Sequence, residues 1–411
     1  MAMMPQVVRL YVVIETVAAR HRNSKALLAL AVGTFALGAA EFVMMGVLPQ
    51  SALDMAVSIP DAGHFISAYA LGVCVGTLFL VFGRRIMPRT LLVLFAVLIV
   101  LGNTMVALSG GYAMMITARF ISGLPHGAYF GTAAIVAKEL AEPGKEARAV
   151  AVTLTGQTIA NMLGVPLGTV LGEFMSWRLA FAFLGAWGVL TIVMLVAWVP
   201  QVPAIKDTGL AGQFAFLKHP GPWMIVLAVL AGNTGIFCWW SYVSPWLTST
   251  NGFASAAVPA LMAVAGLGMV VGALTGGRLS DAWKPGGAAA VGQSASCIGL
   301  VLIALSHGPM VLAVLLTFLC ACSMFFVNAP QQLLMVEAGE VGDGGGEMLG
   351  SALVQIGFNL GNSFGAAIGG VALNMAAMDY RVAAGAGIPF TLAAALLLGA
   401  FYRRYERRVR R

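Results

Sequence analysis

Apolar residues fill the chain in twelve blocks, separated by short polar clusters, at approximately 26–48, 62–82, 90–108, 112–137, 149–172, 179–199, 222–244, 257–277, 287–305, 309–330, 348–373 and 385–402. A helix rises about 1.5 Å per residue, so about 20 residues cross the ~30 Å hydrocarbon layer of a bilayer. Core helices of a soluble protein would be shorter and amphipathic. A segment exposed to lipid must satisfy its own backbone hydrogen bonds, so the pattern predicts an all-α, polytopic membrane protein with twelve transmembrane helices.

The second half of the chain repeats the first. ALGVCVG at 70–76 matches GLGMVVG at 266–272, an offset of 196, and Gln157, Asn161 and Gly172 match Gln355, Asn359 and Gly370, an offset of 198. Two pseudo-symmetric six-helix bundles follow: a first bundle over 26–200, a linker over 201–220 and a second bundle over 221–402, flanked by a tail at 1–25 and a basic tail at 403–411. Such a duplication is the plan of transporters whose halves rock about a site near the bilayer midplane.

Composition agrees, because 60% of the residues are hydrophobic and only 9% charged, against about 25% charged in soluble domains. Lys and Arg between the blocks divide twenty to two in favour of the side that holds both termini, with Arg178 and Arg381 alone on the other side. The positive-inside rule therefore places both termini in the cytoplasm. Anionic headgroups account for the net charge of +7, and nucleic acid is not needed as a partner. The apolar part of the first 25 residues is too short to span and lacks a cleavage site, so it reads as a cytoplasmic tail or as residues added by an upstream start. Cys74, Cys238, Cys297, Cys320 and Cys322 imply neither a disulfide framework nor a metal site and read as packing residues.

Block five contains GQTIANMLGVPLGTVLG, with small residues at Gly156, Ala160, Gly164, Gly168 and Gly172, and with Pro166 among them. In water Gly and Pro would weaken this helix by about 1 and 3 kcal/mol per residue. In lipid a small residue every fourth position clears a face for close helix contact. Either general packing or a gate along which one half slides on the other fits that face.

This stretch resembles the fifth-span antiporter motif of the major facilitator superfamily, as found in its drug:proton antiporter branch. ARFISGLPHGAYFG resembles the fourth-span motif of the same group through Arg119, Gly123 and Gly127, and GTFALGAAEFVMMGVLP with SIPDAGHFISAYALGV resembles the first two spans of arabinose-inducible sugar-efflux permeases. The resemblance implies a monomeric transporter of the bacterial inner membrane that exports a small molecule in exchange for protons, without cofactor or metal; the alternative is a proton-independent facilitator or importer of the same fold. One departure is the loop FGRRIMPRT, which lacks the Asp usual between spans two and three, whereas GRLSDAWKPG after span eight keeps Arg278 and Asp281 as a cytoplasmic latch.

Ionisable residues within spans are costly and so are functional candidates. Glu41 in span one and Arg119 in span four both lie about 10 Å deep at 1.5 Å per residue, which permits an ion pair if the helices touch. The pair is either a static structural one or a switch, since a carboxyl that gains or loses a nearby guanidinium changes its affinity for a proton. His126 follows Arg119 by two turns and suits a proton relay or a neutral hydrogen bond. The remaining polar residues are amides: Asn103, Gln157, Asn161, Asn233, Asn328, Gln355, Asn359 and Asn362, with Trp239, Trp240 and Tyr242 near Asn233. Amides glue helices together or, with aromatic faces, line a cavity for a neutral or weakly polar solute such as a sugar or drug. An ATP-driven pump would need a G-x-x-x-x-G-K-[ST] loop. Gly144 and Lys145 are instead followed by Glu146, and the five scattered histidines suggest no catalytic cluster.

Overall fold

The computed structural model describes residues 6–79, 86–142, 146–202, 215–306, 309–340 and 347–407, and every regular element among them is a helix. Arg84 and Arg85 of the loop after span two, most of the linker (203–214) and the last arginines (408–411) lie outside the described residues. Nine described helices are long and apolar enough to cross a membrane, and one of them, Ala149–Trp198, is 50 residues long and holds spans five and six. Span two, Ile59–Thr77, and span four, broken into Tyr112–Gly123 and Pro125–Glu139, complete the twelve. The others are span one, Gln6–Gly46, span three, Pro88–Ala107, span seven, Pro220–Trp240, span eight, Val258–Ala282, and span nine, Pro285–Leu305. Span ten is Met310–Phe326 followed by Asn328–Glu340, span eleven Glu347–Met375 and span twelve Tyr380–Phe401. The tail expected at 1–25 is continuous with span one from Gln6 onward.

Local chemistry sets several ends. Ser58 caps span two by accepting from the Asp61 amide, and Pro60, Pro88, Pro259 and Pro285 occupy first-turn positions whose amides need no partner. In span five the missing amide of Pro166 is absorbed by a π-helical turn, Ala160–Gly164, immediately before it. A second such turn, Gly172–Ser176, leads into span six, where Ser176 is extended and caps the Arg178 amide.

The sequence repeat performs one packing job twice. A Cβ on Gly72 would lie 2.1 Å from the Phe120 carbonyl oxygen and one on Gly76 1.7 Å from that of Leu124, so span two touches span four backbone to backbone. Gly268 and Gly272 do the same for span eight against Phe318 and Cys322 of span ten, at 2.6 and 2.0 Å. Side chains are excluded from these crossings because dense interiors tolerate no such overlap.

Twelve crossings bring both chain ends to one face, called here the terminal face. Near it each half has its own apolar core: one holds Leu30, Phe95, Tyr129 and Leu195, the other Val229, Leu334, Val354 and Leu398. Toward the opposite face a single core joins the halves, with Phe65, Val73 and Phe181 from the first and Phe237, Trp246 and Met269 from the second. The halves are therefore fused at one end and parted at the other.

Arg178 anchors the opposite face of the first half. Its guanidinium donates to Asp54 and to the Ser109 carbonyl oxygen at 2.8 Å and lies 4.5 Å from the Trp177 ring centre. The Arg178 bond holds the Asp54 carboxyl below its ordinary range, helped by the Trp177 indole. A depressed acid contributes stability above its unfolded value near 3.9 that is lost as pH falls through the folded value. Asp54→Asn is expected to lower the melting temperature at pH 7 slightly, since exposed pairs contribute under about 1 kcal/mol. The difference should shrink as pH falls below the unfolded value near 3.9 and vanish once the folded carboxyl is protonated too, and an unchanged difference in melting across this range would show that the pair carries none of it.

Candidate functional site

Where the halves part, a cavity of about 650 Å³ opens toward the terminal face, a size suited to a small organic molecule. Lys138, Val336 and Ser351 stand around its mouth, at the ends of spans four, ten and eleven that flank terminal-face loops. At its deep end the Phe42 and Phe325 rings, one from each half, meet at 5.7 Å between centres. Beyond them spans two and eleven are bonded through Ser67 Oγ, which donates to the Ser363 carbonyl oxygen at 2.8 Å.

The close crossing of spans two and four positions the ionisable cluster. A Cβ on Gly123 would meet the Tyr69 carbonyl oxygen at 2.1 Å, so the Arg119 and His126 side chains reach Tyr69 directly. Arg119 is fully buried; its Nε donates to the Phe65 carbonyl oxygen at 3.1 Å and its Nη1 to that of Ala40 at 2.9 Å. The guanidinium stacks 4.4 Å from the Tyr69 ring centre and 5.7 Å from that of Phe181. The direct Glu41–Arg119 pair that equal depth permits does not form: Nε and Nη1 go to the Phe65 and Ala40 carbonyl oxygens, and Nη2 is buried without a hydrogen-bond partner. The guanidinium charge still acts on Glu41 through space.

Glu41 takes other partners. Its Oε2 lies 3.7 Å from His126 Nε2, and its Oε1 accepts from Asn362 Nδ2 of span eleven at 3.3 Å. His126 Nδ1 in turn is 2.8 Å from the Tyr69 hydroxyl, which is also 3.2 Å from the Leu37 carbonyl oxygen. The three ionisable residues singled out by sequence are thus gathered in one buried group with Tyr69, at the deep end of the cavity, where Glu41 and His126 are lining residues.

Of the residues expected to line a cavity, Gln157 and Asn161 from span five, Asn233 from span seven, Asn328 from span ten and Gln355 and Asn359 from span eleven do so. Trp239, Trp240 and Tyr242 do not. They are buried in the shared core near the opposite face, with Trp239 packed on Trp240 and Trp246. Tyr242 donates to the Ala366 carbonyl oxygen at 2.6 Å. Span seven runs past the cavity before reaching them, so nearness to Asn233 in sequence misplaces them by two turns. The aromatic walls come instead from Phe42, Phe130, Phe237, Phe325 and Phe358. Asn103 bonds within span three, to the Ile99 carbonyl oxygen at 2.8 Å. Asn362, not singled out from its neighbours by sequence, continues the i, i+4, i+7 face of Gln355 and Asn359, and that spacing is the signal that identifies it.

The small-residue face of span five packs within its own half. Cβ atoms on Gly156, Gly164, Gly168 and Gly172 would meet Ala31, Phe35, Val43 and Val47 of span one and the residue that follows it. Contact with span eight of the other half comes from the π-helical turn and the helix that follows it, Val165–Leu171; at the turn the Asn161 carbonyl oxygen would lie 2.3 Å from a Cβ on Gly266. Arg278 and Asp281 are exposed at the terminal-face end of span eight. The loop beyond them is held by the end of span twelve: Trp283 Nε1 donates to the Tyr402 hydroxyl at 3.2 Å, and Glu406 accepts from the Gly286 and Gly287 amides at 2.8 and 3.2 Å.

Comparison with known proteins is consistent with this architecture. A profile of the Major Facilitator Superfamily matches residues 30–346. The chain is 40% identical to the transporter named AraJ of Escherichia coli (strain K12) over 385 residues, 93% of this chain and 96% of AraJ. It is 34% identical to the inner membrane transport protein YdhP of the same strain over 351 residues, 85% of this chain and 88% of YdhP. Among solved structures, a bacterial homologue of the human lysosomal transporter Spinster, inward-facing and unoccupied, superposes with a TM-score of 0.68 at 17% identity, over 93% of this chain and 96% of that one. A point mutant of the nucleoside transporter NupG gives 0.71 at 13% identity over 94% of this chain and 100% of its own.

Proposed function

The chain belongs to the Major Facilitator Superfamily and is an integral membrane transporter with that family's all-α, polytopic fold, and from this premise we propose that it is a proton-coupled antiporter that exports a small, neutral or weakly polar organic molecule by alternating access. The observation that carries the reading is the placement of Glu41. It is a buried carboxyl bonded to the other half through Asn362 at the deep end of the cavity. When the halves rock, the partners of that carboxyl change, and its hold on a proton changes with them.

The excess of Lys and Arg on the terminal face supports a cytoplasmic position for both termini, and the similarity to YdhP, an inner membrane transport protein, supports the inner membrane. The cavity then opens inward, as required for loading an exported solute. The amides supply hydrogen bonds for hydroxyl or amide groups and the Phe walls cover an apolar ring. No cofactor is invoked, and the two bundles, 26–200 and 221–402, are the moving parts of a monomer. The test is a proteoliposome assay with ligands found by thermal-shift screening of sugars and antibiotics. An imposed pH gradient should drive accumulation of the solute on the acidic side, and equilibration indifferent to the gradient would instead make the protein a facilitator.

A further inference from the structure

Two groups face the carboxyl of Glu41, and they differ in which half they belong to. His126 Nε2, 3.7 Å from Oε2, moves with Glu41 in the first half. Asn362 Nδ2, 3.3 Å from Oε1, belongs to span eleven of the second. The other charged or titratable groups facing Glu41 are Arg119 on span four and Tyr69 on span two, again in the first half. Among the described residues Asn362 is therefore the second half's polar contact with this carboxyl. The amide orientation follows from chemistry, since a carboxylate oxygen must receive an N–H, which leaves Asn362 Oδ1 buried without a partner. Ser67 and Cys74 tie the same pair of helices together, so Asn362 stands on the seam between the halves.

We infer that Asn362 is the positioning residue that couples the protonation of Glu41 to the relative position of the two halves. The inference rests on the antiport reading and names the link within it. A hydrogen bond to an ionised carboxylate is about twice as strong as one to a neutral group. The tie between spans one and eleven is thus strongest when Glu41 is unprotonated, and it exists only while the opposite face is closed, as in this structure. Loss of the proton holds the cavity open to the terminal face. Uptake of a proton weakens the tie and lets the opposite face open. The Asn362 side chain itself gains and loses no proton; it converts the charge of Glu41 into a preference between two arrangements.

Hydrogen exchange in lipid nanodiscs, corrected for intrinsic chemical rates, reads this directly. In the wild-type protein the opposite-face halves of spans two and eleven, from Ser67 and Ser363 outward, should exchange faster at pH 5 than at pH 8. The expected rise is about fivefold, from the difference between a charge-assisted and a neutral hydrogen bond. In Asn362→Ala, and in the volume-conserving Asn362→Leu if the alanine variant is poorly folded, exchange there should be fast at both pH values. Solute should still equilibrate across proteoliposomes without accumulating against its gradient. A folded Asn362 variant that keeps the wild-type pH response overturns the inference and leaves the antiport reading standing. A wild-type protein with no pH response at these positions overturns it as well, whereas solute that merely equilibrates whatever pH gradient is imposed overturns the antiport reading itself.

Discussion

Glu41→Gln is expected to abolish accumulation of solute driven by a pH gradient while leaving the protein folded and able to bind. In one-for-one exchange a gradient of about two pH units can sustain about 100-fold accumulation, because each unit is a tenfold ratio. The glutamine variant should give a ratio of about one on the same scale. Gln matches Glu in shape, and its amide oxygen can still accept from Asn362, so neither packing nor that bond geometry is lost. What disappears is the proton that the carboxyl takes and releases. Arg119, held by the Ala40 and Phe65 carbonyls, keeps its partners in the variant, so the melting temperature and ligand-induced stabilisation should remain close to wild type. Transport measured with a fluorescent or radiolabelled solute in proteoliposomes decides the matter. Undiminished accumulation by Glu41→Gln would exclude this carboxyl as the proton carrier.

Much of the architecture behind that prediction is legible in the sequence. Block length and the absence of charge give twelve spans, because hydrocarbon thickness and backbone hydrogen bonding leave few alternatives. The glycine repeat also reads as duplication, since Gly72 and Gly76 serve span two as Gly268 and Gly272 serve span eight. The site is legible in its parts rather than its connections. Helical depth brings Glu41 and Arg119 to one level, but it carries no information about carbonyl oxygens, and those of Ala40 and Phe65 take Nη1 and Nε of the guanidinium. Period alone also cannot tell a helix's cavity-facing stretch from its closed end, and so it assigns Trp239, Trp240 and Tyr242 to the wrong depth. Asn362 is the converse case: its position on the Gln355–Asn359 face is readable, but its bond to Glu41 crosses 321 residues of sequence.

A pair of glycine substitutions separates packing from gating in span five and its neighbour. A valine at position 156 would place its Cβ 1.9 Å from the Ala31 carbonyl oxygen and 2.3 Å from Thr34 Oγ1, both in the same half. No movement of one half against the other relieves that overlap. Overpacking of this kind costs about 1–3 kcal/mol, so Gly156→Val should lower the melting temperature and the yield of folded protein. A valine at position 266 meets the Asn161 carbonyl oxygen at 2.3 Å and Met162 Cα at 3.0 Å, but these belong to the other half. Here the protein has an escape: the halves can separate at the seam. The same ~1–3 kcal/mol then appears as a roughly 5- to 150-fold shift away from the arrangement described here, with little loss of stability. Gly266→Val should melt near the wild-type temperature, transport poorly because the cycle must return through the closed seam, and expose a cysteine placed at Ser67 to thiol reagents that the same cysteine resists in the wild-type background. If instead Gly266→Val lowers the melting temperature as much as Gly156→Val, with no gain in thiol labelling, the contact of spans five and eight is fixed packing and the halves must part elsewhere.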